Sequence, residues 1–324
     1  MEFLLFEIMG KPLWTWAAFV AVVGLLLAFD LGVLHRKSHA IGVRESLGLS
    51  AFYIAMGLGF GGIIYWWMGG QAATEYLTGF VVEKSLAMDN IFVIAMIFSY
   101  FAIPPAYQHR VLVYGILGVL VLRGIMIAAG SAIVTEFSWV LYLFAAFLIV
   151  TGIKMLITAD KKHDVSKSPA VQFMTRHMKM TKELHGQKFF VRQPDASGRL
   201  RLFITPLFGA LVMVELADVI FAVDSIPAIF AITTDPYIVL TSNVFAILGL
   251  RALYFALSAM VDRFVYLKYA LSAVLIFIGS KIFVADMLGL AKIPPAVSLT
   301  VTLAILAAGI LGSLWKTRNV RVEA

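Results

Sequence analysis

The sequence predicts an all-α polytopic membrane protein of about nine transmembrane helices, with an inverted repeat of three-helix units and broken helices at the functional site. Three observations carry this reading. With 61% hydrophobic and 14% charged residues and a mean hydropathy of +0.92, the chain lies far outside the soluble globular range. Apolar runs of about 20 residues, the length that crosses a bilayer as a helix, fall near 13–34, 47–68, 78–100, 110–131, 138–158, 203–231, 238–258, 265–286 and 294–315. Two of these runs carry acids that recur at a fixed offset, which makes a repeat.

In chain order, the opening MEFLLFEIMG carries Glu2 and Glu7 where a secretory leader has a basic segment, so no cleaved leader is expected. Residues 1–77 supply two helices, 78–158 the first repeat, 159–201 a basic loop, 202–292 the second repeat, and 293–324 the final helix and its tail. His35, Arg36, Lys37 and Arg44 follow the first span, and Arg110 precedes the fourth. Arg263 and Lys268 lie between the seventh and eighth, and Lys316, Arg318 and Arg321 close the chain. Residues 159–201 add ten Lys/Arg against four acids. All fall on one side if nine spans begin outside, so the positive-inside rule places the N-terminus outside and the C-terminus in the cytoplasm. The basic loop reads as a cytoplasmic linker with one amphipathic piece near 169–185, and its charge suits anionic lipid headgroups.

The chemistry concentrates in residues 205–231, TPLFGALVMVELADVIFAVDSIPAIFA, which carry Glu215, Asp218 and Asp224 in an apolar run. Each carboxylate at the bilayer centre costs roughly 2.5–3.5 kcal/mol, so such groups mark function by default. Pro227 lacks an N–H and frees the carbonyl of Val223, so a helix break is expected there, offering carboxylates, the Ser225 hydroxyl and a backbone oxygen to a hard cation.

Glu83, Asp89 and Asn90 in VVEKSLAMDNIFV recur 135 positions later as Asp218, Asp224 and Ser225. LVLR at 120–123 matches LGLR at 248–251, and YLFAAFLIVTGIK at 142–154 matches YALSAVLIFIGSK at 269–281. Three spans per unit force the second copy to enter from the opposite side, the architecture of many secondary transporters. Asp218 and Asp224, six residues apart, lie about 120° apart on an ideal helix. A break near Asp224–Pro227, with unwinding near Asp89–Asn90, is therefore expected to turn all five acids to one ion. Arg123 and Arg251, inside their spans, are candidates for holding a carboxylate or filling the site without a cation, and Asn243 for a further oxygen.

Several classes are excluded or disfavoured. The formal charge of +7 is explained by loop residues that orient helices, so no nucleic-acid partner is expected. No cysteine is present, which removes disulfides and thiolate metal sites. The six histidines all lie in loops, which argues for an all-oxygen site. GLGFGG at 57–62 lacks the Lys-Ser/Thr of a phosphate loop and reads as close helix packing, and without a hydrolase motif no enzyme is expected.

EKSLAMDN at 83–90, ELADVIFAVDSIPAIFA at 215–231, YGILGVLVLR and SNVFAILGLR together resemble the TerC/Alx family of bacterial membrane proteins, the Alx type most of all. The resemblance covers nearly the whole chain. It implies manganese(II) export across the inner membrane, and it carries the family's acidic positions onto Glu83, Asp89, Glu215, Asp218 and Asp224. No resident cofactor is implied, since Mn²⁺ is the cargo and protons are the candidate exchange partner. A Ca²⁺ or other cation exchanger, and a scaffold that helps metallate or assemble exported proteins, stay open as alternatives. So do self-association and contact with the secretion machinery.

Overall fold

The computed structural model describes residues 6–32, 43–158, 180–181, 183–194, 199–258, 264–289 and 293–317. Among the described residues ten helices dominate: α1 Leu13–Gly32, α2 Val43–Met68, α3 Gly70–Tyr100, α4 Pro105–Glu136, α5 Val140–Thr158, α6 Pro206–Ile232, α7 Pro236–Ile247, α8 Leu250–Ser258, α9 Leu267–Met287 and α10 Pro295–Lys316. Prolines at the first position of α4, α6, α7 and α10 start these helices where a missing N–H costs no bond. Asp235 caps α7 by accepting from the N–H groups of Tyr237 and Ile238, and it pairs with Lys11 at 3.1 Å. That pair ties the short hairpin of β1 (Glu7–Ile8) and β2 (Lys11–Pro12) to the helix.

Seven described helices are long and apolar enough to cross a membrane, and α7 with α8 makes an eighth, bent by 41°. The remaining expected span, the third in chain order, is α3. It is 31 residues long, but Glu75, Glu83, Lys84 and Asp89 take it out of the apolar class. The chain is thus an all-α polytopic membrane protein. Exposed Trp66 and Trp139 lie toward one end of the bundle and Trp315 toward the other, the pattern of two membrane interfaces.

Two expectations are corrected. Neither acid-bearing helix is broken: α3 runs through Glu83, Asp89 and Asn90, and α6 runs through Asp224 and Pro227. Residues 225–230 of α6 are all buried, so packing on every side holds the segment helical past its proline. The break lies in the seventh span instead, at Leu248–Gly249, where Gly249 takes φ +79° against Tyr53 of α2. Lys84 of α3 donates to the carbonyls of Ala246 (2.9 Å) and Leu248 (3.2 Å), which the break leaves without helical partners. The basic loop holds a hairpin that was not expected, β3 (Phe190–Pro194) antiparallel to β4 (Leu200–Ile204), so the second repeat begins within a strand. The amphipathic piece near 169–185 falls mostly outside the described residues.

The helices that the repeat equates pack on one another, α3 against α6 and α5 against α9. On α5, Gly152 meets Ile276 and the Ser272 carbonyl of α9; on α9, Gly279 meets Ile149 and the Ala145 carbonyl of α5. Each residue in one contact lies 127 positions from its counterpart in the other, so the contact has the reciprocity of a local two-fold.

Gly249→Ala is expected to lower the unfolding midpoint in detergent, with a loss of about 1–3 kcal/mol for a side chain forced to positive φ. Gly124→Ala, where a Cβ meets nothing within 4 Å, is the matched control and should be no less stable than the parent.

Candidate functional site

Four helices deliver polar side chains to one point. Arg123 of α4, only 1% exposed, has its guanidinium among Glu83 of α3, Asp218 and Ser225 of α6, and Asn243 of α7. The Arg123 Nη1 donates to Glu83 Oε1, to Ser225 Oγ at 3.1 Å and to Asn243 Oδ1 at 3.3 Å. Its Nε and Nη2 grip Asp218 bidentately, at 3.1 and 3.0 Å. Planar two-point recognition of this kind is why arginine, and not lysine, holds a buried carboxylate.

The local folding of α6 explains which acids reach this point. Asp218 and Ser225, seven residues apart, share a face of a continuous helix, and Glu215 lies one turn before Asp218. Glu215 is turned toward α4, where Gly115 and Gly118 leave room for its carboxylate; a Cβ at Gly118 would fall on it. Its Oε2 is buried with no hydrogen-bond partner among the described residues. Asp224 stays on another face, as the 120° offset of an unbroken helix requires, and points to Thr151 and Lys154 of α5. Val223 is 47% exposed at the bundle's periphery, away from the cluster. Asn90 and Asp218 line one small void beside Gly115 and Leu250. The side chain of Asp89 lies outside the described residues.

The structure therefore assembles Glu83, Asp218, Ser225, Asn243 and Arg123, with Asn90 and Glu215 adjacent. It does not bring Asp224, Val223 or Arg251 to the same point. Among the described residues, no three Asp, Glu or His side chains stand close enough to hold a metal ion, because the two acids that converge do so on Arg123. Arg251 sits in a second network, donating to Asp30 Oδ1 of α1 at 2.5 Å and lying 2.8 Å from His109 Nδ1 of α4. Sequence reasoning missed the role of Lys84. A lysine one position from a buried acid reads as an ion-pair partner, and nothing local says that its target is two backbone carbonyls on another helix.

An α-helical membrane protein whose core holds a guanidinium on two carboxylates, framed by neutral oxygens, belongs to the class built around a buried ionic site. The particular family follows from comparison with known proteins. Residues 68–321 match the family described as "Integral membrane protein TerC family", and the chain belongs to that family. It is 46% identical over 314 residues to the "Uncharacterized membrane protein STKORF319" of Myxococcus xanthus, covering 97% of this chain and 96% of the relative. It is 45% identical over 315 residues to the "Putative membrane-bound redox modulator Alx" of Salmonella typhi and to its namesake in Escherichia coli K12, covering 94% of this chain and 95% of each. No solved structure matches the chain.

Arg123→Met should destabilise the protein in detergent by about 3–5 kcal/mol, because it leaves two buried carboxylates without their counter-charge. Adding Asp218→Asn to Arg123→Met should recover part of that loss. A double-mutant cycle with no coupling energy would show that the guanidinium and Asp218 do not depend on each other.

Proposed function

We propose that the protein is a secondary transporter that moves a divalent cation, Mn²⁺ before others, out of the cytoplasm, with Glu83 and Asp218 as its central carboxylates. The observation that carries this reading is Arg123, a cation of the chain itself seated between acids from two different helices deep in an apolar bundle. A site that holds a guanidinium on two carboxylates, a hydroxyl and an amide oxygen presents hard oxygen ligands of the kind Mn²⁺, Ca²⁺ and Mg²⁺ take. The preference for manganese comes from the family resemblance, not from these oxygens.

The transported ion and Arg123 would use the same carboxylates in turn. Two carboxylates and one guanidinium carry a formal charge of −1, and a divalent ion in place of the guanidinium makes the pair neutral. Arg123 then needs another acceptor. Glu215 is suited to this role: it faces α4 at Gly115 and Gly118, five or more residues from Arg123 on the same helix, and its Oε2 has no hydrogen-bond partner among the described residues. Proton exchange fits the same arrangement, since a carboxyl that loses its cation in a low-dielectric site favours a proton. The printed name of the enteric relatives speaks of redox modulation. This chain has no cysteine, so a thiol couple is not available to it. Control of a redox-active cation is a route to such an effect that needs only oxygen ligands. The charged loops support an orientation with the N-terminus outside, and the outward direction of transport comes from the family resemblance.

Proteoliposomes containing the purified protein should take up Mn²⁺, and Glu83→Gln or Asp218→Asn should abolish the flux while the protein remains folded. Glu215→Gln should leave cation binding within about threefold and slow turnover by tenfold or more, a loss of roughly 1.4 kcal/mol in the rate-limiting step. Absence of any flux of Mn²⁺, Ca²⁺ or Mg²⁺ from folded protein, with or without a pH gradient, would move the assignment to the scaffold role.

A further inference from the structure

At the end of the bundle where α3 and α10 begin and α6 and α9 finish, the helices enclose a cavity of about 880 Å³. It is separate from the small void at Asp218, and none of the five expected site acids lines it. Its walls are mostly apolar, with Leu141, Tyr142 and Phe230 among them, and a few polar groups converge on it. The decisive one is Glu75 of α3. This carboxylate is 7% exposed, and among the described residues its only hydrogen bond is from Gln71 Nε2, at 3.2 Å. A buried carboxylate with one neutral donor is far from compensated in a membrane protein. The last turn of α6 adds its carbonyl end at Phe230, Ala231 and Ile232, which also favours positive charge. Lys281 lies on the α9 wall and donates to Ser298 Oγ of α10 at 3.4 Å.

Glu75 and Glu83 lie on one helix, eight residues or about 12 Å apart along its axis. We propose that this cavity is a water-filled, cation-selective vestibule in which Glu75 is a second docking carboxylate, the station between bulk water and the Glu83–Asp218 site. The ligand is a hydrated inorganic cation, which buried Glu75, with exposed Asp286 as a second carboxylate on the α9 wall and amide and hydroxyl neighbours, can hold without stripping its waters. The proposal deepens the transport reading and rests on it for direction: with the N-terminus outside, the vestibule is the exit mouth.

The absence of cysteine from the chain makes a test that needs no transport. Ala231→Cys places a single thiol on the α6 wall, and Thr74→Cys repeats the measurement from the α3 wall. Each is treated with a trimethylammonium-bearing and a sulfonate-bearing methanethiosulfonate, with rates normalised to free cysteine. The cationic reagent should react at least about tenfold faster, the lower range of electrostatic focusing in a charged cleft. Glu75→Gln should bring the two rates within about threefold of each other, and Lys281→Gln should widen the gap. Failure of both reagents at both thiols, or a ratio indifferent to Glu75→Gln, overturns the vestibule. In the transport assay, Glu75→Gln should raise the half-saturating Mn²⁺ concentration about fivefold and leave the maximal rate within twofold. Charge-selective labelling without any flux would keep the vestibule and sink the transport reading; flux with unselective labelling would do the reverse.

Discussion

The interaction on which the rest depends is the guanidinium of Arg123 on its two carboxylates. In hydrocarbon none of these three charges is tolerable alone, and truncating one partner of such a group is costlier than the group is stabilising. The consequence is structural first. Glu83, Arg123, Asp218 and Asn243 come from four different helices, and each helix can bury its polar residue only where the other three present theirs. The register of α3 against α6, and of α4 and α7 against both, is thereby fixed at one point. A packed apolar interface alone would fix it less sharply, since sliding by a residue keeps most dispersion contacts and loses every charge-assisted bond.

The same bond is also what a transport site has to give up. An arginine guanidinium keeps its proton and cannot relieve the cluster by losing it, so it leaves only by moving to another acceptor. Neutral isosteres at Glu83 and Asp218 therefore test two things at once, the ligand and the counter-charge. Glu215 differs in kind: among the described residues its Oε2 has no hydrogen-bond partner, and Gly118 opposite it on α4 leaves the room that its carboxylate takes.

Much of this was legible in the sequence, and what was not has identifiable physical causes. Span positions follow from hydropathy, and the duplication points to Glu83 and Asp218, although it marks Asp89 and Asp224 equally and misses Glu215. Arg123 as the occupant of the acid site was legible because an arginine inside a span has no other affordable environment. The break was misplaced because Pro227 is a local signal, while the burial of its whole turn is a tertiary fact. The signal for the true break was present in LGLR, where Gly249 permits the left-handed conformation that ends α7, but a lone glycine in an apolar run also reads as packing. Once α6 is continuous, the 120° between Asp218 and Asp224 decides that one acid faces Arg123 and the other faces α5. The sequence arithmetic already contained that outcome. The hairpin at 190–204 was obscured by its charges, which suggest a solvated loop as readily as a strand pair.

The repeat and the site stand in tension, and the tension is informative. The contact between α5 and α9 is reciprocal residue by residue, so that part of the scaffold is close to symmetric. The charges are not. Arg123 holds Glu83 and Asp218 at the centre, while its counterpart Arg251, on α8 beyond a bend that α4 does not have, binds Asp30 of α1 and His109 of α4. Lys84 sits at the junction of the two arrangements. It neighbours Glu83 on α3, yet its ammonium closes the carbonyls exposed by the bend between α7 and α8. One turn of α3 therefore carries both a carboxylate of the central site and the support of the only bent span among the described helices. A displacement of that turn cannot reach the carboxylate without also reaching the bend, so charge at the centre and shape in the seventh span are mechanically one variable.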